Sequence, residues 1–322
     1  MASPNSTFTE LVSTTFRKHS KDIRDNVSKN NALLKRLMDK GTKKEDGGLS
    51  IVVPLDYANN STYQRYSGYD VLNVGASDVI SAAEYQWRQI AINVVASGLE
   101  LRTNSGESRI INLVKARMKN AIRTFKNNFS ADVYSDGTLS NQIGGLQALV
   151  ADTGTGTVGG IDSSTWAFWQ NIVQSAAAPL QGGAGITPSA TTIESLMLPL
   201  WLQLVRGDDQ PDLIVSSNDY FTFFENSQTS IKRYTDSSKA QAGFVSLKYK
   251  TADVIFDGGS GIPNAHMYFL NTDYMDLIVH KDANLEIMDE MKPYNQDAAV
   301  VPILWMGNLA TSNRSLQGVL KA

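Results

Sequence analysis

The sequence predicts an α+β fold of two lobes preceded by a helical arm, and three observations carry that prediction. The chain has 322 residues and 35.2 kDa, which at about 150 residues per domain is enough for two cores. Its apolar period is helical up to about residue 40 and becomes two from Leu49 onward. Between Gly144 and Thr192 the composition shifts to glycine, alanine and threonine, as expected of a looped, low-charge entry to a second lobe.

In the arm, Val12, Phe16, Ile23, Val27, Leu34 and Met38 alternate steps of four and seven, an 11-residue repeat compatible with helical packing. Gly41 stops the pattern, and 42–48 reads as a polar, glycine-ending connector. The arm is therefore expected to lie outside the main core and to lay its apolar stripe on something else.

From Leu49, the residues Ile51, Val53, Leu55 and Tyr57 share one face of a strand. The stretch 58–62 breaks it, Tyr63, Tyr66 and Tyr69 follow around Gly68, and an alternating return runs through Ala83, Tyr85 and Trp87 to Val95. This reads as a long excursion of β-ribbon. Two strands alone are marginally stable in water, so such a ribbon needs a surface to lie on. Its tyrosines are either interface anchors or packed within the chain.

Asn104 and Glu107 mark a helix start, after which Ile110, Val114, Met118, Ile122, Phe125 and Phe129 form one face to about Ser130, a length of about 36 Å. Lys115, Arg117, Lys119, Arg123 and Lys126 surround the rest, a solvated face by default with a nucleic-acid contact as the alternative. The second lobe is expected to hold helices at 192–205 and 218–229 and strands at 212–216, 245–256 and 266–270. Alternating segments at 275–280, 285–288 and 300–305 then return beside the long helix.

Charge is unevenly placed. The net value is -3, but residues 1–44 carry ten Lys/Arg against four Asp/Glu, leaving 19 against 28 for the remainder. A +6 arm on a -9 body is suited to touch nucleic acid or the acidic body of a neighbouring chain, with a solvated helix face as the plain alternative. The chain has no cysteine, which removes disulfides, thiolate nucleophiles and cysteine zinc sites. Its start lacks the regions of a signal peptide, and its richest apolar stretch, 196–205, is far short of the ~20 residues that span a bilayer, so no membrane partner is expected.

No catalytic, cofactor-binding or metal residue is singled out. Gly154, Gly156 and Gly159 fit G-x-G-x-x-G, but no Asp or Glu lies between Asp162 and Glu194 to hold a ribose, so a flexible loop is expected there. A P-loop and G-x-S-x-G are absent, and His19, His266 and His280 have no metal-ligand spacing. An enzyme has no site to stand on.

The order of parts resembles the major capsid proteins of tailed bacteriophages, the Hong Kong 97-like fold. The likeness lies in Gly47-Gly-Leu-Ser-Ile-Val-Val-Pro-Leu, Tyr66-Ser-Gly-Tyr-Asp, Ala83-Glu-Tyr-Gln-Trp and Tyr134-Ser-Asp-Gly. It continues in Gly144-Gly-Leu-Gln-Ala-Leu-Val, Gly159-Gly-Ile-Asp, Phe168-Trp169 and Gly307-Asn-Leu-Ala-Thr-Ser-Asn-Arg. The resemblance implies an N-terminal arm at 1–48, an extended β-hairpin loop at 49–80, a peripheral domain with a long spine helix at 81–138 and 275–322, and an axial α/β domain at 139–274. It implies self-assembly into pentamers and hexamers of an icosahedral head shell around double-stranded DNA, in the virion, after assembly in the host bacterial cytoplasm. Implied partners are further copies of the chain, a portal protein, a separate scaffolding protein, a decoration or cement protein, and DNA held by non-specific contact. No cofactor is implied. Val12, Phe16, Ile23, Val27, Tyr63, Tyr66 and Tyr69 become the candidates for inter-subunit contact. Two departures stand out. The arm is about half the length of the scaffolding segment of some members, which points to a separate scaffold or none. No lysine lies between Lys44 and Lys115, where some relatives carry a cross-linking lysine. An encapsulin-like nanocompartment shell and an α/β enzyme are the rival readings.

Overall fold

A computed structural model describes residues 32–40, 42–98, 107–228, 246–257 and 261–322. Strands β12 (Met275–Ile287) and β13 (Ala298–Thr311) form its longest antiparallel pair, with register shifts between Val279 and Asn284 and between Asn284 and Glu286. Strand β4 (Arg88–Ser97) pairs along β13 from Ser97 opposite Ala298 to Arg88 opposite Gly307. Alternation then decides the faces. Val94, Ala96, Ala299, Val301, Ile303 and Trp305 point inward, and helix α2 (Glu107–Asp132) covers them with Met118, Phe125 and Phe129. Phe129 meets Trp305 edge-on at 4.8 Å and stacks on Phe125 at 5.2 Å.

The second sheet has the order β7-β14-β11-β8-β10-β9, where β7 is Ile172–Ser175, β8 Leu213–Ser216, β9 Ser246–Tyr249, β10 Ala252–Phe256, β11 His266–Leu270 and β14 Gly318–Lys321. Its central strands are apolar on both faces because each face has its own core. Ile214, Met267 and Phe269 pack under helices α4 (Ile193–Leu204) and α5 (Asn218–Ser227), whereas Leu213, Val215, Tyr268 and Leu270 join the core of the first sheet. The short helix α3 (Leu146–Leu149) enters that shared core.

Three expectations are corrected. First, the arm's end is part of the body. Helix α1 (Ala32–Asp39) buries Leu33, Leu34 and Leu37 in the first core, and the expected connector contains β1 (Lys43–Glu45), paired in parallel with Ile278 to His280 of β12. Second, the ribbon is shorter than its alternation suggests. Only β2 (Ile51–Asp56) and β3 (Ile80–Tyr85) pair, and the return beyond Trp87 is β4 of the first sheet. Third, the resemblance puts 275–322 with the long helix, but β14 pairs with β7 and β11 in the other sheet. Of the expected arm stripe, Val12, Phe16, Ile23 and Val27 lie outside the described residues, as does the helix start at Asn104.

Candidate interaction surfaces

The loop at 57–79, between β2 and β3, carries Tyr63, Tyr66, Tyr69, Val71, Leu72 and Val74 on its surface. Tyr63 is 80% exposed, Tyr66 66%, Val71 90% and Val74 91%. The loop holds its own shape with polar bonds: the Gln64 side chain donates to the Val71 carbonyl at 3.0 Å and accepts from the Asn73 amide at 2.9 Å, and Asp70 accepts from the Ser67 amide at 2.8 Å. It thus presents a dense apolar and aromatic tip at the cost of leaving it in water. The three tyrosines do not pack within the chain.

The loop's root, by contrast, is fixed. Tyr57 packs against Trp166 and Phe168 with centroids at 5.7 Å in both cases. The Glu84 amide donates to the Gly159 carbonyl at 2.9 Å. Gly159 has φ +59°, and a Cβ there would stand 2.8 Å from that of Ala83, so the close approach of hairpin and loop requires glycine. The Tyr85 hydroxyl donates to the Thr311 carbonyl at 2.9 Å and accepts from the Thr311 amide at 3.2 Å. Burial pushes that phenol up to about 12, keeping the proton it donates.

Beneath the root lies a buried cation. Arg314, 0% exposed, occupies the turn that leads from β13 to β14. Its Nε donates to the Leu149 carbonyl at 2.7 Å, and its Nη1 donates to Ser163 Oγ at 3.0 Å and to the carbonyls of Trp169 and Gly156 at 3.3 and 3.4 Å. Nη2 has no hydrogen-bond partner. Desolvation pushes the guanidinium down to about 10, so it remains a cation at neutral pH.

A second electrostatic site ties the arm to the body. Arg36 Nη2 donates to Asp212 Oδ2 at 2.8 Å, with Lys40 Nζ at 3.2 Å from the same oxygen. The Thr272 amide and hydroxyl each donate to this carboxylate at 2.7 Å. Burial acts to raise the Asp212 carboxyl, but the bonds from Thr272 and Arg36 and the charge of Lys40 outweigh it and hold the group below the usual carboxylate range. Lys40 also pairs with Asp273, and Lys43 with Asp276 at 2.6 Å. The described part of the basic arm therefore meets acid on its own chain. Neither Arg36 nor Arg314 stood out in the sequence, because their partners lie 176 and 165 residues away.

The remaining motifs resolve as structure. Gly154, Gly156 and Gly159 all have positive φ, and Gly159 closes a two-strand hairpin between β5 (Thr157–Val158) and β6 (Ile161–Asp162), where a dinucleotide site would open a helix. His266 bonds the Asn264 carbonyl at 2.7 Å and Asp152 at 3.0 Å, and His280 stands edge-on to Trp87 at 5.7 Å. Among the described residues no group of three or more His, Asp or Glu is placed to hold a metal ion, and no helix is long and apolar enough to cross a membrane.

No family model and no curated protein matches the sequence. Solved structures match over most of their length. The capsid asymmetric unit of Cyanophage A-1(L) has TM-score 0.62 at 16% identity, with 92% of each chain covered. The capsid of an empty GTA particle has TM-score 0.58 at 12% identity, covering 88% of this chain and 89% of that one. The holo-SrpI encapsulin complex of Synechococcus elongatus PCC 7942 has TM-score 0.53 at 11% identity, covering 89% and 86%. Such identities carry the fold alone, and the fold is the Hong Kong 97-like capsid fold.

Proposed function

We propose that this chain, which has the Hong Kong 97-like capsid fold, is the major capsid protein of a tailed bacteriophage and builds the icosahedral shell of its head. The observation that carries this reading is the extended loop: a tip of six exposed aromatic and aliphatic side chains on a root bonded to β13 of the first sheet and to the β5–β6 hairpin. A monomer gains nothing from such a tip, whereas a neighbour that covers it gains apolar burial at about 25 cal/mol per Å². A head-to-tail contact repeated around an axis closes a ring where its rotation fits, and pentamers and hexamers are the rings proposed here. The residues proposed for these contacts are Tyr63, Tyr66 and Tyr69, with Val12, Phe16, Ile23 and Val27 of the arm.

The encapsulin reading shares the fold. The cyanophage capsid at 0.62 suits the phage reading, but the encapsulin at 0.53 stands level with Mycobacterium phage Adephagia at the same score, so cargo rather than fold separates the two. The particle is then part of a virion, assembled in the bacterial host, with a portal protein, a separate scaffold or none, and a decoration protein as partners and double-stranded DNA inside. With no cysteine and no lysine between Lys44 and Lys115, it is held by contact area rather than by covalent links in the loop. Electron microscopy of the expressed protein tests the assembly, and cargo analysis separates the two shells. Nucleic acid supports a phage head; a folded enzyme inside supports a nanocompartment.

A further inference from the structure

We propose that the outward face of α2, formed by Lys119, Arg123 and Lys126 with Asn120 and Asn127, binds the phosphate backbone of double-stranded nucleic acid. Only the identification of that nucleic acid as an enclosed genome rests on the shell reading.

From Glu107 to Asp132 the sequence has six Lys/Arg and no acid between the two ends, on a body whose remaining balance is negative. Packing sorts these cations. Met118, Ala121, Phe125 and Phe129 are buried toward the first sheet, which leaves positions 119, 123 and 126, at i, i+4 and i+7, within about 60° of one another and roughly 120° round the helix from the buried side. Lys119 and Arg123 are exposed and Lys126 is half-buried. Arg117 is not part of this face, since it donates to the Val95 carbonyl at 2.8 Å. Arg123 Nη2 donates to Asn120 Oδ1 at 3.1 Å, which orients the guanidinium and leaves its other donors available. Among the described residues, Lys119 and Lys126 pair with no carboxylate.

Like charges at i and i+4 weaken a helix, so this stripe costs stability in the free chain and is relieved by a polyanion. Its composition favours nucleic acid over an acidic protein. Lys119, Asn120, Arg123, Thr124, Asn127 and Asn128 include no apolar anchor, and protein interfaces are built around one. Phosphates need only cations and amide donors. The spacing also fits: Lys119 to Lys126 spans about 10 Å along the helix axis, over which one duplex strand presents about three phosphates.

The test uses the full chain and its triple variant Lys119→Gln, Arg123→Gln, Lys126→Gln, with fluorescence anisotropy of a short labelled DNA duplex of mixed sequence read over a range of salt. The slope of log affinity against log salt should become shallower by about 2.7 in the variant, three phosphates at about 0.9 each, whatever the duplex sequence. An unchanged slope and affinity, or no binding by the parent, overturns the proposal. So does equal or tighter binding of polyglutamate by the parent, which would make the partner an acidic protein. Thermal melting followed by circular dichroism should show the variant at or above the parent, because like-charge repulsion is removed. A lower melt with lost helicity would make these residues structural and also overturn it. Microscopy of both proteins separates the two readings. Shells from both with no change in DNA binding sink the stripe alone, and stripe-dependent DNA binding by a parent that never assembles sinks the shell alone.

Discussion

Arg314 donates its Nε hydrogen to the Leu149 carbonyl at 2.7 Å, so that the turn joining the two sheets is pinned to the short helix α3. The same guanidinium reaches Ser163 and Trp169, whose loop carries Gly159 and thereby the root of the extended hairpin. One side chain holds three segments in register without a carboxylate among its hydrogen-bond partners.

Removing it should be costly in a particular way. Arg314→Ala leaves a cavity and orphaned carbonyls, a loss of about 3 kcal/mol. Arg314→Met fills the volume and abolishes the desolvation penalty of the cation, so it should fall between the parent and the alanine variant. Urea unfolding midpoints measure the order. A methionine variant less stable than the alanine variant would contradict the assignment of desolvation as a cost.

Asp212 predicts an acid-sensitive clamp. Its carboxyl is held below the unfolded value of about 3.9, so its contribution is present above about pH 4 and is lost as pH falls through the lower folded value. Asp212→Asn should cost about 1–3 kcal/mol at neutral pH and flatten the fall of melting temperature with acid. Melting curves of parent and variant that stay parallel from pH 6 to pH 3 would remove the clamp.

Truncation of residues 1–44 now carries a different expectation from the one the sequence suggests. It removes Leu33, Leu34 and Leu37 from the core and β1 from the edge of β12. With each buried leucine contributing about 1.5–3 kcal/mol, the truncated chain should lose most of its stability. A thermal transition at the parent's temperature would show that α1 and β1 are dispensable.

What the sequence displays and hides follows from how local each cause is. The long helix is legible because its 3.6-residue period over Met118, Phe125 and Phe129 is a local cause, and β8 and β11 are legible as short apolar runs between breaks. Strand β1 is not, because Lys-Lys-Glu has no strand pattern and is held by the ladder to β12 and the pair of Lys43 with Asp276. Ile90, Ile92 and Val94 alternate as a ribbon would, and only the long-range pairing with β13 makes them a sheet strand. The Asp212 clamp and the Arg314 peg join residues far apart in sequence, which spacing cannot reveal. At the loop tip, the tyrosines were visible as residue types, but their exposure depends on the rest of the loop turning away from the body.

Replacing Tyr63, Tyr66 and Tyr69 with serine should leave the stability of the unassembled chain unchanged to within about 0.5 kcal/mol per site, because none is packed. Assembly should fall sharply, since buried tyrosines are frequent hot spots worth 2 kcal/mol or more, as an order of magnitude, in an interface. Sedimentation of parent and variant at equal concentration measures it, and equal shell yield would take the tyrosines out of the contact.

Electron microscopy of the expressed protein, alone and together with the products of its neighbouring genes, decides whether the chain is a shell subunit. A shell subunit should give closed icosahedral particles whose subunits form five- and six-membered rings, each extended loop lying on an adjacent copy. A monodisperse monomer under both conditions would contradict it.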